Sequence, residues 1–406
     1  MIANRRLKQI ASVRVSNVDK KSVDGERPVQ LCNYTDVYYN DRIIRDMPFM
    51  EATAPDDQVA RFSLCAGDIL ITKDSETADD IAVPAYVTED MPGVLCGYHL
   101  AIIHPRPQAD GRYLFWALAS RSSREQFAAL ATGVTRFGLR YEAFGDVLVP
   151  LPSLVTQRAI ADHLDAETVR IDALIQKKRR MVRLLAGRVR AARETLVSEG
   201  WRSGSTSRLG HLLHEVDNRL GPANAPPLLS VSIHRGVIPF AEANPDRVAR
   251  ADDVANYKRC RRDDIVLNRM RAFQGGIGRA TTDGIVSPDY AVLRPSARGL
   301  AEYLNHLMRS PWFVGQMERL LRGIGSADQG CVRTPRVNWD DLRTVVVPLP
   351  PLQTRRQLAA QLDAALNDSW EVQRAIERQV ALLQEHRQAL ITAAVIGELD
   401  IPRVAA

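Results

Sequence analysis

Residues 149–165, VPLPSLVTQRAIADHLD, recur at 347–363 as VPLPPLQTRRQLAAQLD, with 10 of 17 positions identical at a shift of 198 residues. Chance matching at ordinary composition gives roughly one identity in such a window. A chain of 406 residues that repeats one segment about half its length apart must fold as two copies of a unit. Solenoid repeats have far shorter periods, so a duplication on this scale is one of domains.

Weaker matches surround the repeated segment in the same order. Gly67-Asp68-Ile69-Leu70-Ile71-Thr72-Lys73 resembles Asp263-Asp264-Ile265-Val266-Leu267-Asn268-Arg269. Tyr98-His99-Leu100-Ala101-Ile102-Ile103-His104-Pro105 parallels Pro288-Asp289-Tyr290-Ala291-Val292-Leu293-Arg294-Pro295. A helical stretch follows in each half, over 113–130 and 302–321, and each ends in glycine-containing loop sequence at 132–138 and from 323 onward. Apolar strands bounded by Gly, Pro and Asp, with helices between them, predict a mixed α/β class. The expected domains are a globular unit over 1–148, a helical spacer over 149–201, a second globular unit over 202–346 and a second helical spacer over 347–406.

The prolines must lie outside or in the first turn of whatever helix follows them. Beyond them a heptad seam runs through Leu164, Thr168, Ile171, Ile175, Lys178, Val182, Leu185, Val189, Ala192 and Leu196. Its counterpart, 198 residues on, is Leu362, Leu366, Ser369, Gln373, Ile376, Val380, Leu383, Arg387, Leu390 and Ala394. A narrow apolar stripe sustained over four heptads predicts long helices that pack as a coiled coil. Packing of each helix on its own domain is the alternative. The polar members favour pairing, because Lys178 in one copy matches Ile376 in the other, while Ser369, Gln373 and Arg387 match Ile171, Ile175 and Val189. Complementary seams of this kind set orientation.

Charge narrows the choice of partner. The net charge is +6, yet residues 170–193 hold nine Lys/Arg against one acid, and residues 247–279 hold nine against four. Basic runs on an otherwise acidic chain point to a polyanion, most often nucleic acid, or else to solvated helix faces. The N-terminus lacks the apolar core of a signal peptide, no run of 18 apolar residues occurs, and a cytoplasmic protein is expected. Five scattered cysteines form no CxxC pair and suggest neither disulfide framework nor zinc site.

With these residues in view, the chain resembles the specificity subunit of Type I restriction-modification systems. The resemblance rests on Pro-Leu-Pro-x-Leu, the following Gln/Thr-Arg and Leu-Asp, and a long helix ending in Arg-Gln-Ala-Leu-Ile-Thr-Ala-Ala-Val-Ile-Gly at 387–397. The first copy departs at its end, with Glu194-Thr195-Leu196-Val197-Ser198-Glu199-Gly200. Membership would imply two target-recognition domains, each reading one half of a bipartite, asymmetric DNA site, separated by two helices in an antiparallel coiled coil with approximate two-fold character. It would also imply two methyltransferase subunits docked on equivalent surfaces, joined by restriction/translocase subunits. S-adenosylmethionine and ATP would then sit on those partners, with no cofactor and no catalytic residue in this chain.

Base discrimination needs forked or amide side chains at a groove edge, and phosphate contacts need Lys/Arg. The candidates are Arg136 in the loop 132–138 and Lys73 at its strand end in the first domain. In the second they are Arg269, Arg271 and Gln274, beside Gly275 and Gly276, with Arg333 further on. The basic helix face over 177–193 suits a partner protein or a DNA backbone rather than bases. A methyltransferase in its own right is weighed against this. Phe273-Gln274-Gly275-Gly276 and Ser287-Pro288-Asp289-Tyr290 faintly resemble amino-methyltransferase signatures, but about ten residues separate them, too few for a cofactor-binding α/β unit. No P-loop sequence occurs. His211 and His214 stand at helical spacing without the third or fourth ligand that a metal needs. A coiled-coil scaffold without sequence specificity is the third reading.

Overall fold

The computed structural model describes residues 2–221, 226–233, 235–244, 255–322 and 336–401. Two compact units are present: Met1–Lys178 with Arg378–Ala406, and Arg179–Glu377. The long helices Leu154–Arg202 and Leu352–Ile396 each contribute one part to either unit. Their first residues are 198 apart, so both start in the same register after the Pro-Leu-Pro. The Pro-Leu-Pro itself opens in a strand, because Leu148–Pro150 pairs with Asn4–Arg6 and Val346–Pro348 pairs with Thr206–Arg208, both antiparallel.

In the first unit a five-stranded sheet runs in the order Ala11–Val15, Leu100–Pro105, Ile69–Thr72, Pro84–Val87, Arg42–Ile43. A four-stranded sheet has the order Met50–Ala54, Arg27–Cys32, Met91–Cys96, Ser63–Leu64. The central strand Ile69–Thr72 is buried at every position. Strand side chains alternate between faces. Ile69 and Ile71 enter a core that also holds Tyr113, Trp116 and Leu164. Leu70 enters a second core with Leu31, Phe62 and Leu95. A strand covered on both faces takes a polar side chain only where it is bonded: Thr72, at its end, accepts from the Val83 amide, and the residues before it are apolar.

The second unit repeats the device. Its sheet order is Leu213–Glu215, Tyr290–Pro295, Ile265–Asn268, Ile277–Arg279. Ile265 and Leu267 pack with Leu196, Tyr303 and Leu362, while Val266 packs on the other face with Val231 and Val286. Gly278 lies so close to the neighbouring strand Gly236–Pro239 that a Cβ there would stand 2.4 Å from the Val237 nitrogen.

Each helical stretch expected before the repeat is two helices, a difference from the single-run reading. Gly111–Ala119 and Arg121–Leu130 break at Ser120, and Ala301–Met308 and Pro311–Arg322 break before Pro311, at Ser310. Both serines are buried and cap the next helix, with Oγ accepting from the Ser123 and Phe313 amides. A serine side chain competes with the backbone ladder in this way, and apolar periodicity does not register it.

Every member of both heptad series is buried or half-buried, and the residues between are mostly exposed. In the first unit Asp172 meets Arg387 at 3.2 Å and Lys178 donates to Gln379 at 2.5 Å, so the two helices run antiparallel there. Leu164 shares a core with Ile391 and Ala394. In the second unit Leu196 and Leu362 share a core. Among the members singled out from sequence, Leu164, Thr168, Ile171, Ile175, Leu196, Leu362, Ile376 and Ala394 are buried. Val182, Leu185, Val189, Leu366, Val380, Leu383 and Leu390 are half-buried.

Candidate nucleic-acid interface

The repeated segment carries two pairs of contacts that attach each globular unit to its helix. Tyr113, fully buried, donates its hydroxyl to the Pro150 carbonyl at 2.7 Å, and Tyr303 donates to the Pro348 carbonyl at 3.0 Å. One helical turn further, Trp116 Nε1 donates to Asp165 at 2.8 Å, and His306 Nε2 lies 3.0 Å from Asp363. Pro150 and Pro348, and Asp165 and Asp363, are 198 residues apart, among the identities of the repeat. The identical positions are therefore acceptors for a tyrosine and a ring N–H at i and i+3 of the preceding helix. Burial pushes the His306 ring below its usual pKa, and Nδ1 has no partner among the described residues, so the neutral ring donates from Nε2. That hydrogen bond holds the Asp363 carboxyl below the usual carboxylate range.

Asp68 and Asp264 show the same economy one level down. Both are buried, and each accepts the amide three residues before it, Cys65 at 3.0 Å and Arg261 at 2.8 Å, fixing the turn into the central strand. Each also bonds a side chain of the neighbouring strand: His104 Nδ1 lies 2.7 Å away in the first unit, and Arg294 donates two bonds of 2.9 and 2.8 Å in the second.

The candidate readers sit at the ends of these central strands. Lys73 follows Ile69–Thr72, donates to the Ser16 carbonyl at 3.1 Å and lies 4.0 Å over the Tyr98 ring; burial lowers its pKa. Arg136 is exposed and binds Asp74 at 2.7 Å, with His99 Nδ1 at 2.7 Å from the same carboxylate. The loop 132–138 is closed by two backbone bonds between Thr132 and Gly138. Gly133 has φ +148, and a Cβ would meet the Arg136 carbonyl at 2.0 Å, so only glycine fits. Structure thus gathers Lys73, Tyr98, His99, Asp74 and Arg136 at one strand end. Of these, Tyr98, His99 and Asp74 were not singled out from sequence as readers, although Tyr98 and His99 lie within a matched motif and Asp74 adjoins one.

In the second unit Arg269 holds the position of Lys73 and is bound to Glu215 at 2.5 Å, half-buried. Arg271 precedes and Gln274 closes a short 3-10 turn, Ala272–Gln274, that is followed by Gly275 at φ +92. Both side chains are exposed and have no side-chain partner among the described residues. A Cβ on Gly276 would lie 2.8 Å from the Arg271 carbonyl, which the Gly276 amide engages. Arg333 lies outside the described residues. His211 and His214 are exposed, and no cluster of three His, Cys, Asp or Glu able to hold a metal occurs among the described residues. No described helix is long and apolar enough to cross a membrane.

Fold and site together define a class: two α/β domains in one chain, each clamped at the start of a long helix, with paired antiparallel helices. Neither a protein-family model nor a curated protein sequence matches the chain. Among solved structures, a chain from work on the structural basis of complex assembly and conformational transition of the type I R-M system has 18% identity and a TM-score of 0.62, covering 98% of both chains. The S subunit of a Type I restriction-modification system from M. genitalium has 13% identity and a TM-score of 0.41, covering 100% of this chain and 97% of its own. The HsdS subunit from Thermoanaerobacter tengcongensis has 19% identity and a TM-score of 0.45, covering 98% and 97%. The first of these likenesses shows that this chain has, from end to end, the fold of a chain of the type I R-M system.

Proposed function

We propose that this chain is the DNA-specificity subunit of a Type I restriction-modification complex. Each globular domain reads one half of a bipartite, asymmetric site. The helices set the spacer and dock two methyltransferase subunits, which restriction/translocase subunits join. The chain itself is not an enzyme; methyl transfer with S-adenosylmethionine and ATP-driven steps belong to the partners.

The observation that carries this reading is the duplicated attachment: the 17-residue segment is kept alike where it grips a domain, while the strand-end loops differ between units. Two different readers held by one repeated grip suit a site with two different halves. A scaffold has no need for glycine-built loops with exposed Arg271 and Gln274, or for Arg136 beside His99. Forked and amide side chains at such positions are the groups that discriminate bases in a major groove.

The test is the methylome of a host carrying this chain with its neighbouring methyltransferase subunit, beside a deletion of this chain. Loss of a split, asymmetric methylation motif on deletion is the expected result. An unchanged methylome with both proteins expressed and co-purifying overturns the proposal, and methylation by the isolated chain would replace it with an enzyme.

A further inference from the structure

Within the second unit, the first long helix carries Arg179, Arg180, Arg183, Arg188 and Arg190 with no acidic residue from 179 to 190. All five are exposed, and none has an ion pair among the described residues. At about 100° per residue, Arg179, Arg180, Arg183 and Arg190 fall within a sector of about 100° turned away from the seam residues Val182, Leu185 and Val189. Exposed Met181 and Leu184 lie outside that sector, so the arginine face has no apolar anchor.

Pairing of the helices does not require this charge. The corresponding stretch 198 residues on, 377–388, has the same seam register but mixes Glu377, Arg378, Glu385 and Arg387. A protein partner would be expected to need a desolvated apolar or aromatic centre, which the face lacks. A phosphate backbone needs only cations at intervals along a line. Eleven residues of helix rise about 16 Å, the length of about five phosphate steps on one DNA strand.

We propose that the arginine face Arg179, Arg180, Arg183 and Arg190 binds the phosphate backbone of duplex DNA, adding affinity that does not depend on sequence. The idea rests on the specificity-subunit reading and names a DNA contact distinct from the base readers. Full-length chain and the fourfold Arg→Ala variant are titrated with two duplexes, one holding the motif found by methylome sequencing and one scrambled, from about 50 to 200 mM salt. Each lost phosphate contact lowers the log–log salt slope by about 0.9, so the affinity drop over that range shrinks about 3.5-fold per arginine. The expected result is the same shallower slope on both duplexes, an unchanged preference for the motif, and a wild-type slope in the fourfold Arg→Lys variant. An unchanged slope in an Ala variant that melts like wild type overturns the proposal. So does an unchanged slope accompanied by lost co-purification with the methyltransferase subunit, which would make the face a protein contact. If wild type prefers neither duplex while the Ala slope still falls, the arginine face stands and the specificity reading fails instead.

Discussion

At the scale of single residues, the buried aspartates explain why two divergent units keep one short motif. Asp264 is sealed from water, caps the turn at Arg261 and receives both guanidinium bonds of Arg294. Replacing it with Asn keeps one acceptor but strands part of a paired cation, so Asp264→Asn is expected to cost about 1–3 kcal/mol in chemical denaturation. Asp68→Asn should cost less, because its partner His104 is half exposed. His306 supplies a pH dependence. Its folded pKa lies below its ordinary value of 6.5, so the neutral ring's contribution is complete above that value and is lost as pH falls through the lower folded one. The denaturation midpoint should decline below about pH 6.5, and His306→Gln should flatten that decline. An identical acid limb in both proteins would show that another group titrates there.

Among elements, the decisive feature is the grip between helix and repeat. Tyr113→Phe and Tyr303→Phe each leave a buried proline carbonyl without its donor, at an expected cost of about 1–3 kcal/mol apiece. Measured by hydrogen exchange, the loss should fall on the repeated segment of the mutated copy. Loss of protection confined to the strand ends would mean that the hydroxyls do not hold the segment. The polar seam members find partners of their own: Lys178 on Gln379, and Arg387 on Asp41 and Asp172 and over the Trp116 ring. In the first unit, then, the polar residues that interrupt the heptad contact are used, as expected of positions that fix orientation.

For the whole molecule, the proposal predicts modular specificity. Replacing residues 1–148 with another reader should change one half of the methylated motif and leave the other intact, as seen by methylome sequencing. A change in both halves would exclude two independent readers. Much of the architecture was visible beforehand, since a seam over four heptads and an apolar strand between turn residues are local patterns with one physical meaning each. The break at Ser120 was not, because a capping hydroxyl leaves the apolar period unchanged; the break before Pro311 carries its own signal, since a proline inside a helical pattern ends the helix ahead of it. The reading loops were visible only as glycine and arginine. That Arg269 is tied to Glu215 while Arg271 and Gln274 stand exposed depends on which strand lies alongside.

By itself the sequence determined the duplication, the α/β class, the register of both helices and the places where each must begin. The duplication follows from identity at a shift of 198 residues, and the rest from periodicity and from proline's missing donor, which act over a few residues. Tertiary structure alone decided why the repeated aspartates are alike, by setting Trp116 and His306 against their carboxylates, and it placed Tyr113 and Tyr303 on the backbone carbonyls of Pro150 and Pro348. It also decided which cations are neutralised and which stand open, because a charge is spent or available according to neighbours that are distant in the chain and adjacent only in the fold.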